Sequence, residues 1–255
     1  MDKLKIALVQ FSPEWEEPAN NILNLNKLLE NELPKVDAVI FPEMTLTGFT
    51  MESGKFAEEM DGSGTQFFMN VSRKYKNHFF AGIIEKDDED LYNSLVHFDN
   101  GLINARYRKI HPFSFVNEQE HYSSSKETVI THINKVKIGL SICYDLRFPE
   151  LYRAYGKERC EIIINIANWP VTRIDHWKTL LKARAIENQC YIIGVNRVGK
   201  DNMAEFNGAS AVFDPMGKEV IICTDEEKIF TIEIDLEKTR ETRKKFPFLN
   251  DITLI

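Results

Sequence analysis

Three residues of different chemical type each stand at the end of a strand-like segment. Glu43 follows the apolar run 38–41, Lys109 ends the segment 102–109, and Cys143 follows the apolar run 138–142. The ends of strands are where α/β folds build their active sites. A carboxylate, an ammonium and a thiol gathered there could hydrolyse an amide or a nitrile, with the thiol as nucleophile.

Each of the three residues has a role in such a reaction. Glu43 would take the thiol proton as general base, and Cys143 would attack the substrate carbon. Lys109 and the backbone N–H of Tyr144 would hold the developing oxyanion. Ammonia or an amine would then leave, and water activated by the same carboxylate would release the acid.

Ordinary structural interpretations compete with this one. Glu43 could be a solvated or lysine-paired carboxylate, Lys109 an exposed lysine on an edge strand, and Cys143 a core thiol. The polar residues 144–147 favour an accessible thiol at position 143. We expect Lys109 and the N–H groups of the following helix to stabilise its thiolate. His111 is a weaker candidate base, because it precedes Pro112 in a turn.

The composition excludes several classes of protein. The net charge of −7, from 32 basic and 39 acidic residues, argues against a nucleic-acid-binding protein. The first apolar run, 6–9, is too short for a signal peptide or a membrane span. We therefore expect neither nucleic-acid nor membrane partners.

The cysteines and histidines do not form a metal-binding pattern. The cysteines are widely spaced and include no Cys-x-x-Cys pair, which makes a zinc site or a disulfide framework improbable; they are Cys143, Cys160, Cys190 and Cys223. His176 has no second ligand at helical spacing. The pattern predicts a reducing, cytoplasmic location.

Helical and strand-like segments alternate along the chain, which predicts an α/β fold with helices covering sheets. The pair 92–98 and 102–109, joined at Asn100-Gly101, and the pair 209–213 and 219–223 predict hairpins and therefore mixed sheets. Asn20 or Asn21 is expected to cap the first helix. No break in composition divides the 255 residues, so we predict a single domain spanning 1–255.

The blocks 41–43, 107–111 and 143–150 together resemble the nitrilase, or carbon–nitrogen hydrolase, superfamily. The resemblance implies a four-layer α-β-β-α sandwich with two mixed sheets, a homodimer, and Glu–Lys–Cys catalysis without metal or organic cofactor. It also implies a second glutamate between the lysine and the cysteine. Glu118 is preferred on spacing, and Glu120 is the alternative.

A further stretch, comprising 167–170, 173, 176–177 and 182–189, is similar to the ω-amidase branch. That branch hydrolyses the terminal amide of 2-oxo dicarboxylic acid monoamides such as 2-oxoglutaramate. A substrate carboxylate needs a cation, for which Arg173 is the first candidate and Arg147 the second. Trp169 could form a wall of the pocket or cap the core.

Other functions remain open at this stage. Within the same superfamily, the main alternative is hydrolysis of N-carbamoyl amino acids or another small amide, and nitriles are less favoured. A thiol-transfer protein would need a partner cysteine near Cys143. A non-catalytic scaffold has no need of a base, a cation and a thiol at three strand ends.

Overall fold

The computed structural model describes residues 2–254, which form fourteen strands, six α-helices and five short 3-10 turns. The strands are β1 (Lys3–Gln10), β2 (Ala38–Ile40), β3 (His78–Asp87), β4 (Asp90–Asp99), β5 (Leu102–Arg108), β6 (Ile130–Ile133), β7 (Val136–Ile142), β8 (Ile162–Ala167), β9 (Tyr191–Asn196), β10 (Val198–Lys200), β11 (Glu205–Asn207), β12 (Ala211–Phe213), β13 (Glu219–Ile222) and β14 (Lys228–Asp235). The α-helices are α1 (Pro18–Glu32), α2 (Ser53–Phe56), α3 (Ser63–Tyr75), α4 (Pro149–Lys157), α5 (Ile174–Asn188) and α6 (Leu236–Lys245).

Twelve of the strands in residues 2–254 form two six-stranded sheets, in the orders β14-β1-β2-β3-β4-β5 and β13-β12-β9-β8-β7-β6. In each sheet the three central strands pair in parallel, and hairpins add antiparallel strands at the edges. The predicted mixed sheets are therefore confirmed. Strands β10 and β11 form a separate hairpin.

Alternation along β1 shows how the layers are built. Leu4, Ile6 and Leu8 pack into the core that contacts the second sheet. Ala7 and Val9 belong to a separate core that includes side chains of α1 and α3. Successive side chains of a strand point to opposite faces of the sheet. Because each face of a central strand packs against a core, the strand must be apolar on both faces. Helices α4 and α5 cover the second sheet, which completes the α-β-β-α sandwich.

Local turn chemistry was predicted correctly in one place and wrongly in another. Asn100 and Gly101 have φ values of +48° and +79°, as a type I′ hairpin turn requires. The prediction that Asn20 or Asn21 caps the first helix is wrong, because α1 begins at Pro18 after Glu17. The Asn21 amide lies inside the helix and donates to the backbone oxygens of Glu14 and Leu46.

The turn after β2 carries Glu43 and packs directly against β3. The backbone N–H of Thr45 donates to the Gly82 oxygen at 2.9 Å. A Cβ atom on Gly82 would lie 2.4 Å from the Met44 nitrogen and 2.7 Å from the Glu43 Cα. Because backbone atoms have little freedom to move aside, only glycine fits at this crossing.

We predict that Gly82→Ala lowers the free energy of unfolding by about 1–3 kcal/mol, as overpacking in a filled core does. Urea unfolding followed by circular dichroism measures the change. Gly54→Ala is the matched control, since nothing lies within 4 Å of a Cβ there. Equal unfolding midpoints for the two variants would contradict the packing argument.

Candidate active site

The three strand-end residues converge on one site between the sheets. Glu43 and Lys109 are each only 1% exposed, and the Lys109 Nζ atom donates to the Glu43 Oε1 atom at 3.0 Å. Cys143 is half-buried and lies close enough for both charges to act on its thiol. The structure therefore excludes a solvated Glu43 and an exposed Lys109.

Glu118 joins this group, and Glu120 does not. The Lys109 Nζ atom donates to the two carboxylate oxygens of Glu118 at 2.9 and 2.8 Å. Glu118 is fully buried at the start of a 3-10 turn, and it also accepts the backbone N–H of Phe113 at 2.5 Å. Glu120 is exposed to solvent. This placement favours Glu118 as the second glutamate.

Cys143 occupies a sharp turn between β7 and the 3-10 turn 143–147. Its φ is +46°, in the left-handed region that non-glycine residues seldom adopt. The Asp145 carboxylate accepts the backbone N–H of Ile142 at 3.0 Å and so fixes the entry to the turn. A strained strand-to-helix turn of this kind presents a nucleophile at the end of a sheet.

Asp145 also connects the cysteine turn to the end of β5, a role that the sequence analysis missed. It accepts the Tyr107 hydroxyl at 2.7 Å, and the backbone N–H and the Nδ1–H of His111 at 3.0 and 2.7 Å. The His111 ring stacks on Phe148 at 3.7 Å. His111 is therefore held by Asp145 as part of the support of the site.

The electrostatics of the site favour a thiol at Cys143 and not the thiolate expected from the sequence. Burial and the charge of Glu43 raise the pKa of Cys143 well above its ordinary value, and Lys109 only partly opposes this rise. Lys109 therefore acts on the thiol in the expected direction, but burial and the charge of Glu43 outweigh it. Burial lowers the pKa of Lys109, but Glu118 and Glu43 outweigh burial and raise it. These shifts favour a thiol at Cys143 and a charged Lys109.

Cys143 opens onto a cavity of about 330 Å³. The cavity is lined mainly by aromatic and apolar side chains, with polar groups at a few points: Phe49, Phe113, Phe115, Val116, Tyr144, Arg147, Asn168, Trp169, Pro170, Val171, Thr172, Arg173, Asp201, Met203, Ala204, Glu205 and Phe206. All the predicted substrate-binding residues are among them. Glu43, Lys109 and Glu118 lie behind the thiol and outside this lining.

Two arginines contribute to the cavity wall, both held by aromatic rings. The Arg147 Cζ atom lies 4.9 Å from the Trp169 ring centroid, and its Nη2 atom donates to His176 Nδ1 at 3.3 Å. The Arg173 Cζ atom lies 5.6 Å from the Phe113 ring centroid, and its backbone oxygen accepts the Trp169 indole N–H at 2.8 Å. No carboxylate of residues 2–254 forms a salt bridge with either guanidinium.

Two asparagines in contact with Glu43 were not singled out from the sequence. The Asn93 amide donates to Glu43 Oε1 at 2.7 Å, and the Asn168 backbone N–H donates to Glu43 Oε2 at 2.9 Å. A signal existed for Asn93, since asparagine is depleted in strands and this one interrupts an apolar segment. Asn168 was noted only as part of the stretch 167–170.

Neither a metal-binding cluster nor a membrane-spanning helix occurs in residues 2–254. Residues 2–254 contain no group of three or more His, Cys, Asp or Glu side chains placed to hold a metal ion. Among the helices of the same residues, none is both long and apolar enough to cross a bilayer.

Comparison with known proteins places this geometry in a family. The carbon–nitrogen hydrolase family model matches residues 5–244. The chain is 34% identical to the 2-oxoglutaramate amidase of Bacillus subtilis over 98% of both chains. It is 33% identical to the omega-amidase YafV of Escherichia coli K12, over 98% of this chain and 97% of that protein.

Solved structures show the same architecture. XC1258 from Xanthomonas campestris, a CN-hydrolase superfamily protein with an arsenic adduct in its active site, superposes with a TM-score of 0.95. It is 33% identical, and the match covers 100% of this chain and 99% of that one. Nit3 of Saccharomyces cerevisiae, a nitrilase superfamily member, superposes with a TM-score of 0.87. It is 26% identical, and the match covers 96% of this chain and 95% of that one. Because the family model matches nearly the whole length of the chain, the chain belongs to the carbon–nitrogen hydrolase family.

Proposed function

We propose that the protein hydrolyses the terminal amide of small ω-amides that carry a carboxylate, of the 2-oxoglutaramate or 2-oxosuccinamate type, and releases ammonia. One observation carries the proposal: Cys143 joins the buried Glu43–Lys109–Glu118 group to a cavity whose wall holds two arginines that have no carboxylate partner within residues 2–254. The names of the relatives from Bacillus subtilis and Escherichia coli support the same substrate class.

The first half of the reaction follows from the charges. Glu43 takes the thiol proton as the Cys143 sulfur attacks the amide carbon, because the raised pKa of the thiol leaves little free thiolate before substrate binds. The carbonyl oxygen becomes an oxyanion. Collapse of the tetrahedral intermediate breaks the C–N bond, and ammonia leaves with the proton that Glu43 returns.

Lys109 and the backbone N–H of Tyr144 are the proposed donors to the oxyanion. When the two Glu118 oxygens share one N–H of the ammonium and Glu43 takes another, the third remains for substrate. The Nζ atom lies 5.2 Å from the ring centroid of Phe49, which lines the cavity. Tyr144 is the second residue of the 3-10 turn, where N–H groups have no partner within the turn.

The second half regenerates the thiol. Water enters after ammonia leaves and gives a proton to Glu43 as its oxygen attacks the thioester carbon. The C–S bond then breaks, the acid product leaves, and Glu43 returns the proton to the Cys143 sulfur. Lys109 stays charged throughout, since Glu118 and Glu43 raise its pKa.

The carboxylate of the substrate is the proposed ligand of Arg147 and Arg173. A guanidinium binds a carboxylate with charge-assisted hydrogen bonds, and an apolar wall strengthens them. Trp169 links the two arginines, since it contacts the Arg147 guanidinium and donates to the Arg173 backbone. Trp169 thus serves as cavity wall and as a support for both cations.

Hydrolysis of an N-carbamoyl amino acid is the alternative, because such a substrate also combines a C–N bond with a carboxylate. A panel of 2-oxoglutaramate, 2-oxosuccinamate, an N-carbamoyl amino acid and a short nitrile, each assayed for ammonia, separates the two. Turnover of the carbamoyl compound without turnover of the ω-amides would replace our proposal with the alternative.

The predicted homodimer and cytoplasmic location stay predictions. Ile186 and Phe248 are 48% and 62% exposed and line one groove beside α5, as interface residues often do. All four cysteines are unpaired thiols, which suits a reducing compartment. Sedimentation equilibrium gives the mass of the assembly, and a single-chain mass would contradict the dimer.

We predict that Cys143→Ala abolishes ammonia release from 2-oxoglutaramate and that Glu43→Gln lowers kcat/KM at least about 100-fold. The alanine removes the nucleophile, and the glutamine keeps the shape of the base but cannot accept a proton. Steady-state assays measure both effects, and melting temperatures show whether the variants fold. Cys223→Ala, which changes a buried thiol outside the site, should keep its activity.

Wild-type turnover in Cys143→Ala would contradict the thioester mechanism. Turnover by Glu43→Gln above about a tenth of the wild-type value would require a different base.

We predict that Arg147→Met and Arg173→Met each raise KM for 2-oxoglutaramate about tenfold to 100-fold, because a charge-assisted hydrogen bond is worth about 1.5–3 kcal/mol. Turnover of butyramide, which has no carboxylate, should change less than threefold. Arg240→Met is the control, since that arginine is 44% exposed and pairs with Asp2. Equal losses on both substrates would show that the arginines support the fold and not the carboxylate.

A further inference from the structure

Asn93 contacts both carboxylates of the site through its side chain and Lys109 through its backbone. It lies in the middle of β4 and is 1% exposed. Its Nδ2 atom donates to Glu43 Oε1 at 2.7 Å and to Glu118 Oε1 at 3.0 Å. Its backbone oxygen accepts the backbone N–H of Lys109 at 2.9 Å. One neutral side chain therefore bridges the two carboxylates.

Asn93 and Lys109 together close a ring of four hydrogen bonds. The Lys109 Nζ atom donates to the same two oxygens, at 3.0 Å for Glu43 Oε1 and 2.9 Å for Glu118 Oε1. Two carboxylates this close repel each other, and one ammonium neutralises only one of them. The Asn93 amide supplies a second donor to the pair without adding charge.

The orientation of the Asn93 amide follows from this ring. Ionised carboxylates only accept hydrogen bonds, so the NH₂ group must face both glutamates. The Oδ1 atom is left buried and, among residues 2–254, has no hydrogen-bond partner. A buried acceptor without a partner is unusual in a folded protein, which indicates that the two carboxylates decide the orientation.

The ring leaves the two oxygens of Glu43 in different environments. Oε1 receives the ammonium and the Asn93 amide, which makes it the weaker base. Oε2 receives only neutral donors of Asn168, the backbone N–H at 2.9 Å and the side-chain amide at 3.3 Å. Asn168 lines the cavity together with Cys143, whereas Asn93, Lys109 and Glu118 do not, so Oε2 is the oxygen on the cavity side.

We propose that Asn93 is a positioning residue: it ties Glu43 Oε1 to Glu118 Oε1 and thereby keeps Glu43 Oε2 aimed at the thiol proton. Asn93 acts through Glu43 and does not touch the substrate, since it lies outside the cavity lining. This inference rests on the proposed amidase mechanism, in which Glu43 is the base.

The test is the pH dependence of kcat/KM for 2-oxoglutaramate in Asn93→Leu, which keeps the branched shape of the side chain and removes the donor. Without the bridge, Glu43 and Glu118 repel each other more and hold a proton to higher pH. The acidic limb of the profile should move upward by about one pH unit, and kcat/KM on that limb should fall about tenfold. Alkylation of Cys143 by iodoacetamide should show the same shift without any substrate.

Asn165→Leu is the matched control. Asn165 is fully buried, donates to Ser141 Oγ at 3.1 Å and to Tyr152 OH at 2.9 Å, and also has an unpaired Oδ1 atom. Its replacement should disturb the core similarly and leave the acidic limb in place. If Asn93→Leu does not fold, Asn93→Ser, which keeps one donor, tests the same shift at smaller amplitude.

A double-mutant cycle with Glu118→Gln separates positioning from a general structural role. Neutralising Glu118 removes the repulsion that Asn93 offsets, so the shift caused by Asn93→Leu should shrink in that background. An unmoved acidic limb in Asn93→Leu, or an equal shift in Asn165→Leu, would overturn the inference. A shifted alkylation profile with no amide turnover by the wild-type protein would instead refute the proposed function and leave Asn93 in its role.

Discussion

Two carboxylates share one ammonium inside the protein, and the rest of the structure depends on this interaction. Glu43, Glu118 and Lys109 are each at most 1% exposed. Moving such ions out of water costs several kcal/mol each, and their attraction offsets this only with good geometry and further hydrogen bonds. Those bonds come from separate elements: Asn93 on β4, the turn 113–118, and Asn168 after β8. Both sheets must therefore be assembled before the charged group is stable.

Burial and the charge of this group both favour a thiol over a thiolate at Cys143. Two negative charges and one positive charge leave a net charge of −1 beside Cys143, and burial acts in the same direction on its pKa. A thiolate would add a second negative charge to a site of low polarity. In the proposed mechanism, proton transfer to Glu43 and attack on the substrate are thus coupled, because the sulfur acquires its charge only as the oxyanion begins to form opposite Lys109.

The sequence located residues of the site where a local pattern marks them. Apolar runs that end in a charged or nucleophilic residue located Glu43, Lys109 and Cys143 at strand ends, and spacing favoured Glu118 over Glu120. The supporting residues could not be found in this way. Asn93 bonds to a residue 50 positions away and Asp145 to residues 34 and 38 positions away, so their partners are defined only by the folded sandwich. The predicted Asn21 cap was wrong for the same reason, because the Asn21 side chain donates to the distant backbone oxygen of Leu46.

The balance of charge in the cavity wall depends on another buried pair. Asp201 lines the cavity, but its Oδ2 atom accepts Arg197 Nη1 at 3.0 Å, and its Oδ1 atom accepts the N–H groups of Met203 and Ala204 at 2.9 Å each. The pair neutralises that carboxylate and fixes the hairpin 198–207 as a wall. Arg147, Arg173 and the exposed Glu205 are then the charged side chains of the lining that form no salt bridge within residues 2–254. A buried ion pair that adds little stability by itself therefore removes one of the two acidic charges of the cavity wall.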